Sequence, residues 1–209
     1  MATTEPGMAT RLDRRRAAML QAGEAVFLER GFEGATLGEI ISRSGGSRTT
    51  LYEQFGGKEG LFAAIIAELC TRMLTPLAEG MTGGRKVKEI LYGFGLAYMK
   101  VLMTPSGLAL YRMVISESGR FPELGARVFT AGPEAAAIRL ADYLKTETKQ
   151  GRLAIRNADE AARSFLEMVK GDLHTRAFFQ VGAVPRSKEI ETAVQAAVAL
   201  FLDGATPRK

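Results

Sequence analysis

Four side chains with hydrogen-bonding heads, Ser47, Arg48, Thr49 and Thr50, follow directly on the turn Ser44-Gly45-Gly46. Tyr52, Gln54 and Lys58 come shortly after them. This set is suited to gripping nucleic acid rather than to breaking bonds. An arginine near a helix N-terminus reaches the O6 and N7 of guanine with two parallel hydrogen bonds, and a threonine meets a thymine methyl or donates a hydroxyl bond. The hydroxyls of Thr50 and Tyr52 suit phosphate oxygens, which fix register without reading sequence. Lys58 opens the next helix, where unpaired backbone N–H groups and the helix dipole already favour an anion.

The rest of the inventory argues against catalysis. His174 is the only histidine and Cys70 the only cysteine, so neither a metal-ligand spacing nor a catalytic thiol–imidazole signature is present. No nucleophile motif or phosphate-binding glycine loop appears, and no catalytic residue, metal or cofactor is expected. One cysteine also excludes an internal disulfide. The first ten residues lack the basic start and apolar stretch of a secretory signal, and no apolar run is long enough to span a membrane. The expectation is a cytoplasmic protein with a flexible tail over residues 1–10. The net charge of +5 is no guide to DNA binding, because residues 1–65 hold eight basic and eight acidic side chains. A basic contact must come from local clusters: Arg11, Arg14, Arg15 and Arg16, then Arg43, Arg48 and Lys58.

The elements that must position these groups are helical. Apolar residues recur at three- and four-residue spacing nearly throughout, which predicts an all-α protein. A first helix is expected from about Leu12 to Arg30, stopped by Gly31. A second starts at Thr36, where T-L-G-E places a hydroxyl at the N-cap and Glu39 three residues on to close a capping box. Ser44-Gly45-Gly46 ends it, and Ser47 caps a third, Arg48 to about Gln54. A fourth runs from Lys58 to about Leu74, with Pro76 and Gly83-Gly84 marking a hinge. Beyond lie helices from Lys86, Pro105 and Pro122, a break or sharp kink at Gly132-Pro133, a stop at Gly151, and two last helices capped by Asn157 and Ser187. The expected organisation is a three-helix helix-turn-helix DNA-binding domain over 11–57, a connecting helix and hinge over 58–82, and a larger ligand-sensing and dimerisation domain over 83–209.

The run T-L-G-E-I-I-S-R-S-G-G-S-R-T-T-L-Y-E-Q-F-G-G-K-E-G-L-F, Thr36 to Phe62, resembles the DNA-binding signature of the TetR family of repressors. The resemblance implies that Thr36, Arg48, Thr49, Thr50, Tyr52, Gln54 and Lys58 occupy positions that commonly touch DNA, with Ser47 at the same edge. It also implies a double-stranded operator with an inverted repeat, read by a homodimer. Gly46 stands where the family usually has an apolar residue, and Gln54 where an aromatic or histidine is more frequent. Leu51 and Phe55 are expected in the core.

Further on, Y-R-M-V-I-S-E-S-G-R-F-P-E-L-G from Tyr111, Ala131-Gly132-Pro133, and M-V-K-G-D-L from Met168 resemble the AefR-like class of C-terminal domains. That implies a ligand-responsive dimer and a small-molecule effector. Apolar stripes on the last two helices, Phe165 with Val169 and Ile190 with Val194, Ala197, Val198 and Phe201, supply a candidate four-helix dimer interface or, alternatively, monomer core. Helical phase offers Phe94, Tyr98, Leu102, Leu108, Tyr111, Ile115 and Met168 as pocket walls. Arg112, Glu117, Asp172, His174 and Arg176 are candidate polar handles, although Asp172 and Arg176 are spaced to pair with each other. The rival reading is a helical small-molecule-binding or interaction protein that does not bind DNA.

Overall fold

A computed structural model describes residues 11–82 and 86–205, and every regular element among them is helical. The tail 1–10 and Gly83-Gly84 lie outside the described residues. The first helix, α1 (Arg11–Gly34), turns sharply at Gly31, whose φ of 73° suits glycine alone, and then resumes for a last turn. Two short helices follow, α2 (Leu37–Ser44) and α3 (Arg48–Phe55), then the long α4 (Lys58–Thr82). That helix passes through Pro76 instead of ending near Leu74. Burial of Leu77 in the core beyond the proline rewards continuation, and one lost backbone bond does not outweigh it.

The second part comprises α5 (Val87–Leu102), α6 (Pro105–Glu117), α7 (Pro122–Phe129), α8 (Ala135–Lys149), α9 (Ala158–Phe178) and α10 (Ser187–Ala205). Gly132-Pro133 does not break the chain between α7 and α8. The backbone widens into a π-helical turn, Thr130–Glu134, which accommodates the proline's missing N–H. Glycine fits closely there: a Cβ on Gly132 would lie 3.1 Å from Ile66 Cγ2 and 3.4 Å from Cys70 Sγ on α4, so the neighbours would have to give slightly. Ser187 proves to be the first residue of α10 rather than its cap. The N-terminus is closed instead by the Glu189 carboxylate, which accepts from the Arg186 backbone N–H at 2.9 Å.

Two apolar cores hold the molecule together. One joins α5, α8, α9 and α10 around Phe94, Tyr143, Phe165 and Val194. The stripe Ile190, Val194, Ala197, Val198 and Phe201 is spent there, inside the chain's own core, so it is not free to pair with a second copy. The other core gathers Phe27, Phe32 and Phe62 from α1 and α4, packed edge-to-face at 5.0 and 5.6 Å, around Leu51 and Ile40. This second core also takes in Leu110 from α6 and Leu124 and Val128 from α7. The N-terminal domain is therefore completed by residues far along the chain. Phe121 adds a ring against Phe32 at 5.3 Å, and the Arg120 guanidinium pairs with Glu33 on the last turn of α1.

Candidate DNA-binding and effector sites

Local chemistry fixes the pose of α3. The Thr36 hydroxyl accepts from Glu39 N–H at 3.2 Å and starts α2, while Gly45, at φ 68°, ends it. The Glu39 carboxylate does not return to Thr36 as a full capping box requires. It pairs with Arg43 at 2.6 Å and Arg30 at 3.7 Å, and Arg43 also holds Glu29 at 2.7 Å. The guanidinium of Arg43 is thus committed to bracing α2 against α1, and the Glu29 carboxyl is held below its ordinary range by that bond. Ser47 then caps α3, its oxygen accepting from Thr50 N–H at 3.1 Å, and Gly56 closes the helix at φ 72°. Leu51 and Phe55 are buried, as their spacing predicts.

The result is an exposed edge. Ser47, Arg48 and Thr49 project from the first turn of α3, Tyr52 is 55% exposed one turn on, and Thr36 is exposed at the start of α2. Thr50 is half-buried, its hydroxyl 2.9 Å from that of Ser47. Two expected contacts point elsewhere. Both polar atoms of the Gln54 carboxamide are buried and lack hydrogen-bond partners among the described residues. The Lys58 ammonium donates to the carbonyls of Glu33 and Ala35 at 3.2 and 3.0 Å and lies 4.8 Å from the centre of the Phe32 ring. It therefore closes the carbonyl end of α1, and its burial lowers its basicity. At the unusual Gly46 a Cβ would come within 2.2 Å of Met19 Cε, so a larger residue there would have to move the end of that methionine from α1 aside.

A cavity of about 270 Å³ opens between α4, α5, α6, α7 and the π turn. Of the residues singled out by helical phase, Tyr98, Leu102, Tyr111 and Ile115 line it. Phe94 and Leu108 are packed in the core behind, and Met168 borders a separate groove beside α10. The proposed polar handles serve other purposes. Arg112 donates to the carbonyls of Phe178 and Ala177 at 2.9 and 2.6 Å and so ties α6 to the end of α9. Asp172 and Arg176 pair with each other at 2.8 Å on the surface. Glu117 sits at the end of α6, where its charge acts on Lys58. His174 is buried edge-on to Tyr111 at 4.9 Å, its Nε2 without a partner among the described residues and its basicity lowered by burial. Helical phase missed Val101, Leu110 and Val114 on α5 and α6, and within those helices it could not reveal walls from elsewhere, such as Ile66 and Cys70 from α4, Phe129 from α7 and Lys170 from α9. The one clue was Gly132-Pro133, a helix-breaking pair inside a helical stretch.

No group of acidic, histidine or cysteine side chains among the described residues is arranged to hold a metal, and no helix among them is long and apolar enough to cross a membrane. A capped short helix presenting Arg48 and Thr49, mounted on a helical body with an apolar cavity, defines a helix-turn-helix DNA-binding protein with a sensing domain. The chain belongs to the TetR family of bacterial transcriptional regulators. Residues 19–65 match the family described as bacterial regulatory proteins of the tetR family, and residues 89–204 match the C-terminal domain of AefR-like transcriptional repressors. Among solved structures, the flavonoid-responsive regulator FrrA is 30% identical with a TM-score of 0.71, over 94% of this chain and 99% of its own. A TetR-family regulator from Mesorhizobium loti shares the fold at 24% identity and a TM-score of 0.80, over 95% of this chain and all of its own. The repressor AcnR of Corynebacterium diphtheriae is 37% identical over 70 residues, 34% of this chain and 37% of AcnR.

Proposed function

We propose that this regulator is a repressor that grips an inverted-repeat operator as a homodimer and is released when a small aromatic or amphipathic molecule fills the cavity. One observation carries the reading: Val128 and Leu110 belong both to the cavity wall and to the core that seats α3 and α1. A ligand pressing on that wall acts on the packing of the DNA-reading helices, and it shifts the population only so far as it prefers one packing over the other. Arg48 and Thr49 supply base contacts, and Ser47, Thr50, Tyr52 and Thr36 position the backbone. The responsiveness of FrrA to flavonoids supports an aromatic effector. The dimer uses the outer face of α10, where Ala196, Ala199 and Leu200 are exposed, with Phe179 at the end of α9. Acting on an operator, the protein works in the cytoplasm.

The test is binding to the region upstream of its own gene, read by fluorescence anisotropy across a salt series. A saturable, salt-sensitive complex of one dimer per inverted repeat, lost on Arg48→Ala, is expected. Ligand uptake without any operator binding would return the protein to the class of small-molecule carriers.

A further inference from the structure

The wall of the cavity is largely apolar. Among the described residues lining it, Lys170 is the only charged side chain, and it is 18% exposed. Its partner Glu167, one turn earlier on α9 at 2.6 Å, is 71% exposed. A carboxylate so open to water holds its cation only weakly. A purely apolar ligand would exclude water from the cation without replacing it. Tyr98 lines the same cavity and is buried, only 5% exposed. A tyrosine hydroxyl at an apolar wall is a ready donor to a bound ligand. Lys170 and the Tyr98 phenol therefore line one and the same cavity. A cation and a phenol thus border a largely apolar chamber of about 270 Å³.

On the reading of this cavity as the effector site, we propose that it selects amphipathic monoanions, whose acidic group takes Lys170 from Glu167 and accepts a hydrogen bond from Tyr98 while the apolar body lies against α4 and α6. A carboxylate there makes two charge-assisted bonds away from bulk water. Glu167, being exposed, is a competitor that is readily displaced rather than a fixed partner.

The experiment compares biphenyl-4-carboxylate with its neutral isostere biphenyl-4-carboxamide by calorimetric titration of the intact protein. The acid is expected to bind at least about tenfold tighter than the amide, as a charge-assisted contact at a desolvated site implies. Lys170→Met brings the two probes to equal affinity, Lys170→Arg keeps the preference, and Glu167→Gln tightens the acid alone by removing its competitor. Tyr98→Phe weakens the acid about threefold or more. Unchanged amide binding in each variant shows that the cavity is intact. Equal binding of acid and amide to the wild type overturns the charge assignment and leaves the cavity as an effector site. An acid preference that survives Lys170→Met also overturns it. Failure of both probes to bind a protein that still holds its operator overturns this proposal and the effector reading of the cavity together.

Discussion

On α3 the groups that face outward are neighbours in sequence, and one local cap sets the turn that carries them: Ser47 caps, Arg48 and Thr49 project, and Leu51 and Phe55 anchor the helix from its buried side. The cavity is assembled differently, from Ile66 on α4 to Lys170 on α9, with no bond inside a single helix deciding which side chains meet. One surface is short-range and polar, the other long-range and apolar. A short-range surface survives as long as its helix is capped and seated, whereas a long-range one depends on every helix around it keeping its distance. The two meet in the shared core of Leu110, Leu124 and Val128.

Breaking the meeting point carries the largest effect. Leu110→Ala, fully buried, is expected to cost about 2–5 kcal/mol in thermal or urea unfolding, and to abolish operator binding from a position in the sensing domain. A loss confined to ligand binding would show the two regions to be independent. Arg48→Ala is expected to weaken operator binding by about 1–3 kcal/mol with the melting temperature unchanged, since its side chain supports no packing. Ser47→Ala removes the cap that aims both Arg48 and Thr49, and about 1 kcal/mol of stability should go with it. Ile115→Trp, at the half-open mouth of the cavity, is expected to impair probe binding by about 1 kcal/mol while operator affinity holds. The smallest effect is on pH dependence. His174 is held neutral by burial, so its folded pKa lies below 6.5 while the unfolded chain protonates near 6.5. Stability from this group is complete above that value and is lost as pH falls below it, because the unfolded state then binds the extra proton. A melting temperature that declines on acidification below about pH 6.5, and declines less in His174→Gln, is the expected result.

The same contrast explains what the sequence could tell. Caps, glycine stops and helix phase are local, so α2 and α3 were legible almost to the residue, including Ser47 as cap and Leu51 as anchor. What local rules missed were competing partners. Glu39 prefers Arg43 to its own capping box, and Lys58 finds the free carbonyls of Glu33 and Ala35 before any phosphate. In the second domain, phase within α5 and α6 found Tyr98, Leu102, Tyr111 and Ile115, because those helices turn one face to the cavity. It could not find Ile66 or Lys170, whose role depends on how α4 and α9 lean on that face. Nor could it tell that the stripe on α10 is consumed within the chain, since an amphipathic helix looks the same whichever apolar surface covers it.

The shared core has a consequence for anyone who would rewire this regulator. The expected boundary near residue 82 suggests joining a new sensor to this DNA reader there. Here a cut after Thr82 would leave Phe32 without Phe121, Glu33 without Arg120, and the head's aromatic cluster open where Leu110, Leu124 and Val128 close it. The transplantable unit is discontinuous, made of α1 through α4 together with α6 and α7, and a chimera that respects the sequence boundary alone would inherit a reader that is missing one wall.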